Sequence, residues 1–197
     1  QGMSAHYPPA SRRLRRLLRS ASPYAWSTGQ AWYADARAHI QRTALAYRYP
    51  TVAVAGAFAA ISPGLRWERN LVRGRALVAW HAQGKVGPRP AIETYATRNV
   101  DRALACLDGT PPAEVLSGPK VRAFYRAMLG DLSAIVLDGH MANLFRGTRE
   151  GLRETRSITL GEWRAWERAI ARASAQFGYP PATIQAVSWM AHKERKA

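Results

Sequence analysis

The chain has 197 residues, enough for one sizeable core or for two small helical lobes. With 47% hydrophobic residues, seven Trp and eight Tyr it is excluded from the class of disordered tails. Twenty-nine Lys and Arg against thirteen Asp and Glu leave a formal net charge of +16, which points to an anionic partner, nucleic acid first among them.

Apolar positions recur at helical spacing almost throughout, so the chain reads as all-α. The run Arg12-Arg-Leu-Arg-Arg-Leu-Leu-Arg19 looks like a targeting segment at first, but no continuous apolar core follows it; we read it as a solvated basic helix and expect no secretion. From Pro23 the pattern Trp26, Tyr33, Ile40, Ala44 and Tyr47 predicts one long amphipathic helix ending near Pro50. Residues 52–60 are nearly all apolar and predict a short helix buried on every side. The run to Ile61 is far shorter than the roughly 20 residues needed to span a bilayer, so no membrane role is expected.

Ser62-Pro63 reads as an N-cap with proline in the first turn, opening a helix to about Gln83. The Gly- and Pro-rich stretch 84–90 is a loop. Helices are then expected at about 91–107, 112–117, 119–129 and 139–146, followed by one capped by Ser157 or Thr159 and running through Phe177. A last helix opens at Pro181 and closes on Lys193-Glu-Arg-Lys196.

Two features carry chemistry. Gly118 can take backbone angles closed to other residues, so one helix can end there and another begin with its N–H groups turned toward a phosphate. Lys120, Arg122 and Arg126 follow the turn as a short basic stripe. Further on, the apolar run Ala134-Ile-Val-Leu137 leads straight into Asp138-Gly-His140, which puts a carboxylate at the edge of an apolar patch. Asp138 is equally suited to capping the helix that begins at Gly139. His140 suits a structural hydrogen bond or a proton shuttle. Trp67, Trp80, Trp163, Trp166 and Trp189 are assigned to the core, and His39, His81 and His192 lack metal-ligand spacing.

The segment Leu116-Ser-Gly118, with Asp138-Gly-His140 at its distance downstream, resembles the helix-hairpin-helix DNA glycosylase superfamily, whose hairpin reads roughly Leu-Pro-Gly-Val-Gly and is followed by an apolar run and Val-Asp-Thr-His. The match covers about residues 111–146. More weakly, Ala60-Ile-Ser62-Pro63 before Trp67 and Asn70 resembles the opening of that family's first lobe, and 99–109 the helix before its hairpin. Lys120 stands where the second glycine would be. Arg122 occupies the position of the lysine nucleophile of bifunctional members, and a guanidinium cannot serve as an amine nucleophile. The single Cys106 excludes a chain-internal four-cysteine iron–sulfur cluster.

The resemblance implies two helical lobes with a DNA groove between them, the second often completed by the N-terminal helix; we treat residues 1–197 as one such domain. It further implies a monofunctional glycosylase that flips a damaged or modified base out of duplex DNA. Asp138 would stabilise the oxocarbenium-like transition state and orient water, with His140 and Lys120 in support and Leu116, Gly118, Lys120, Arg122 and Arg126 on the phosphates. No cofactor or metal is expected, and a cytoplasmic monomer is. Two alternatives stay open: a non-catalytic helix-hairpin-helix DNA-binding protein, and a glycosylase-fold enzyme that processes hypermodified bases in phage DNA.

Overall fold

The computed structural model describes residues 9–151 and 154–195, so Lys196 lies outside the described residues. These form ten helices, and no strand occurs among them. The protein is all-α. The chain divides into two compact units, one made of residues 1–33 and 132–197, the other of 34–131.

The first unit holds α1 (Pro9–Arg19), the opening turns of α2 (Pro23–Tyr47), α8 (Gly139–Arg146), α9 (Leu160–Phe177) and α10 (Pro181–Glu194). The N-terminal arginine run is not solvated all round. Leu14, Leu17 and Leu18 share one face of α1 at helical spacing and are buried, while Arg12, Arg16 and Arg19 are exposed. The three leucines join Leu137, Met141, Phe145, Trp166, Ile170, Ile184 and Val187 in one core. α10 is the most enclosed element of this unit, with every residue from Ala182 to Ser188 buried. α2 comes so close to it that a Cβ on Gly29 would lie 2.6 Å from the Val187 backbone.

α9 starts as its sequence predicts. The Thr159 hydroxyl accepts from the Glu162 amide, and Glu162 reaches back to the Thr159 amide, which closes a capping box. The same carboxylate takes a two-point contact from Arg146, at 2.9 and 3.0 Å, and so ties the end of α8 to the start of α9.

The second unit holds the remainder of α2 with α3 (Thr51–Ile61), α4 (Trp67–Ala82), α5 (Thr97–Leu107), α6 (Pro112–Val115) and α7 (Pro119–Met128). α3 is its centre: Ala53 through Ile61 are all buried, and α4, α5, α6 and α7 pack around it. No single described helix is long and apolar enough to cross a membrane.

Two helix starts differ from expectation. Ser62 does not cap α4; its hydroxyl turns back to the Ala59 carbonyl at 2.8 Å and finishes α3, so that α4 begins only at Trp67, after Arg66. α5 begins at Thr97 rather than near residue 91, because the preceding backbone is committed elsewhere. The Thr94 hydroxyl and the Tyr95 amide both donate to the Pro63 carbonyl, and Asn99 donates to the Thr94 hydroxyl at 2.9 Å.

Candidate functional site

The residues singled out in the sequence fall into both units. In the second, the chain leaves α6, passes Leu116, Ser117 and Gly118, and enters α7. Gly118 is the N-cap of α7 with φ of 82°, a conformation strained for any residue with a Cβ, and the space above it is open. Pro119 takes the first helical position, where its missing N–H costs nothing; the next two amides, of Lys120 and Val121, head the helix.

Leu116 is buried and anchors the turn rather than meeting a ligand by its side chain. Arg122 serves the same turn: its Nε donates to the Leu116 carbonyl at 2.9 Å. Arg126 is engaged by Asp131, with Nε 2.8 Å from the carboxylate, so part of its charge is matched locally. Lys120 makes no hydrogen bond or ion pair with a described residue. Beside the turn lies a cavity of about 240 Å³, bordered by Leu116 and Ser117, by Arg98 and Arg102 from α5, and by the exposed Tyr95. Those two arginines and the tyrosine were not singled out in the sequence; Arg98 and Arg102 sit one helical turn apart, a spacing as common on solvated faces as in binding sites.

In the first unit, Asp138 is half-buried and N-caps α8: Oδ1 accepts from the Met141 amide at 3.0 Å. Its other oxygen accepts from the indole Nε1 of Trp189, on α10, at 3.1 Å. Around this carboxylate are aromatic rings. His140 meets the Trp189 ring edge-on at 5.8 Å between centroids, and Trp32 does so at 6.2 Å. Trp32 is also edge-on to Tyr33 at 4.8 Å. Lys193 lies over the Trp189 face, 4.0 Å from its centre. Tyr33 is buried and donates to Gln185 at 2.7 Å; burial pushes its hydroxyl far above the ordinary tyrosine range, and the Asp138 charge adds to the shift. Tyr33 is therefore a neutral donor at any working pH.

Of the tryptophans assigned to the core, Trp166 is buried and stacks on Phe145, whereas Trp189 is half-buried and committed to Asp138. The partners Trp189, Gln185 and Lys193 recur every four residues on α10 and so share one face. A face that runs from the buried Gln185 through the half-buried Trp189 to the exposed Lys193 is too mixed in character to stand out in a sequence. Asp138 lines neither the cavity by Ser117 nor a second one in its own unit.

A third polar cluster lies in the second unit. The Tyr49 hydroxyl is 2.5 Å from Nδ1 of His81, whose Nε2 is 2.7 Å from Asp108, which also meets Lys85 at 3.2 Å. These contacts clasp the ends of α2, α4 and α5, and they show His81 in a partnership that sequence spacing did not reveal. No group of three His, Cys, Asp or Glu side chains among the described residues is arranged to hold a metal ion.

A family model matches residues 4–196, almost the whole chain; it is described as a family of unknown function, DUF7178. The chain belongs to that family. No curated protein and no solved structure matches it. Membership of DUF7178 brings no activity with it, so what this chain does has to be argued from its own residues.

Proposed function

We propose that the protein binds DNA and processes a base in it, with Asp138 as the essential carboxylate of a monofunctional glycosylase-type site. The observation that carries this reading is the fixing of Asp138 by two donors, the Met141 amide and the Trp189 indole, among aromatic rings. Rupture of an N-glycosidic bond places positive charge on the sugar as the base departs. A carboxylate already held in position, at the edge of low-dielectric surroundings, stabilises that charge without reorganising. Two hydrogen bonds leave carboxylate lone pairs for a water molecule, which the same group can orient. The Trp189 and His140 rings, both half-buried beside the carboxylate, are of the type that contacts an extruded base.

The turn at Gly118, with Lys120 and the head of α7, supports a second element of the reading, a grip on the phosphate backbone. So does the net charge of +16. Arg122 in place of a lysine supports hydrolysis over Schiff-base chemistry.

The test is base release from duplex substrates carrying damaged, mismatched or modified bases, with wild type and Asp138→Asn. Asparagine keeps one acceptor oxygen, enough for the Met141 cap but not for the Trp189 indole as well, so a melting curve accompanies the assay to verify the fold. Excision should fall by on the order of 100-fold or more while DNA affinity changes little. Base release undiminished in the variant would remove Asp138 from the chemistry.

A second reading is a non-catalytic DNA-binding protein, favoured by the fact that both oxygens of Asp138 have structural partners and that it borders neither cavity. It predicts no base release by the wild type on any substrate, with salt-sensitive binding that weakens when Lys120 and Arg122 are replaced and is indifferent to Asp138.

A further inference from the structure

The first unit contains a second cavity, of about 190 Å³, between α1, the end of α8 and the end of α10. Four arginines border it: Arg13 and Arg16 from α1, Arg149 from the segment after α8, and Arg195 after α10, with His192 beside them. Leu17 and Leu144 contribute its apolar part. Among the described residues, no acidic one borders it.

Some of the protein's arginines are matched by carboxylates. Arg73 is paired with Glu93, Arg126 with Asp131, and Arg146 and Arg156 with Glu162. Among the described residues none of Arg13, Arg16, Arg149 and Arg195 is within ion-pair distance of a carboxylate. Glu194, next in the chain to Arg195, is turned away to the Ser22 hydroxyl. Four like charges around one small cavity repel one another, at a cost that an anion in the cavity removes. The arrangement is also partly set in advance. Nη1 of Arg13 donates to the Phe145 carbonyl at 2.8 Å, and Arg195 donates to the Ser20 hydroxyl, so two guanidinium groups are held before any ligand arrives.

We infer that this cavity is a phosphate-binding site. Its volume is below the roughly 300–1,000 Å³ typical of drug-sized ligands, which suits one oxyanion rather than a whole nucleotide. Arginines that border it from three stretches of chain suit a tetrahedral oxyanion, since a guanidinium can offer two N–H groups to it. The site is independent of Asp138 and of the Gly118 turn, and it stands whether or not the protein excises bases. The phosphate can come from free solution or from a nucleic-acid chain, and from the latter either at a 5′ end or within the backbone.

The experiment is calorimetric titration of the full chain with inorganic phosphate, and separately with one short single strand carrying or lacking a 5′-phosphate. Wild type is compared with Arg16→Gln/Arg149→Gln and with Arg164→Gln/Arg168→Gln, a control that removes the same charge from the exposed face of α9. Arg16 and Arg149 are exposed, so the double variant keeps the fold, which a melting curve verifies. The first variant should weaken phosphate at least about tenfold, and the control by no more than twofold. A preference of the wild type for the 5′-phosphorylated strand that disappears in the variant assigns the site to chain ends; equal weakening of both strands assigns it to the backbone. Equal effects of the two variants on every ligand, or no measurable phosphate binding by the wild type, would overturn the proposal.

Discussion

At the scale of single residues, the close contact between α2 and α10 depends on Gly29. Glycine inside a helix ordinarily costs about 1 kcal/mol relative to alanine, so on helix propensity alone Gly29→Ala should stabilise the protein. The added methyl would lie 2.6 Å from the backbone of Val187, and a backbone inside a packed core cannot retreat as a side-chain tip can. Overpacking of this kind costs about 1–3 kcal/mol and exceeds the gain. Chemical denaturation of Gly29→Ala should therefore show a lower midpoint, and a raised midpoint would mean that the two helices can separate without loss. Gly29 carries no such message in the sequence, where it is one small residue in a helical pattern; only the distant Val187 makes it irreplaceable. Asp138 is the opposite case. Its cap on α8 is readable from Asp-Gly-His alone, whereas its bond to Trp189 crosses 51 positions and is not.

Among the helices, α8 and α9 are joined through Glu162. The Arg146 guanidinium on Glu162 holds its carboxyl at about 2, below the 4.5 of an unperturbed glutamate, with the Thr159 amide and hydroxyl helping. A depressed carboxyl contributes stability that is fully present above about pH 4.5 and is lost as the pH falls toward about 2. The melting temperature of the wild type should fall through that window, and Glu162→Gln should flatten this part of the profile while lowering the plateau at neutral pH. A variant whose acid limb parallels that of the wild type would exclude Glu162 as its cause. This junction was legible at one end only. Ser157 and Thr159 both read as caps, and the structure uses Thr159 with Glu162 three positions on, but nothing local says that Arg146 joins them. The opposite failure occurred at Ser62-Pro63, which has the chemistry of a helix start. There the serine hydroxyl donates back to the Ala59 carbonyl, which also accepts from the Ser62 amide, and the start moved to Trp67. Local chemistry fixes which residues can cap, and the neighbouring element decides which way they face.

For the molecule as a whole, the charge of +16 is the property most open to a simple measurement. Binding to DNA through several phosphate contacts should weaken steeply with salt, log affinity falling against log salt with a slope of about −0.9 per phosphate engaged on duplex. Lys120→Gln should reduce that slope by about one. A slope near zero would refute a phosphate-directed interface. The helical spacing of apolar positions made the all-α class legible, and the charge raised the expectation of a polyanionic partner. Neither could reveal that a leucine stripe on α1 is buried, or that α3 sits at the centre of one of two units, because both depend on which distant helices arrive to cover an apolar face.

Cys106, the chain's one thiol, is sealed beneath the second unit, and burial pushes it up to about 11. At neutral pH it is protonated and out of reach of alkylating reagents as long as that unit stays shut. The native sequence thus carries its own stopwatch: each covalent capture of that sulfur marks a moment when α3 and its neighbours came apart, and the rate of capture gives the frequency of those moments without any added label site.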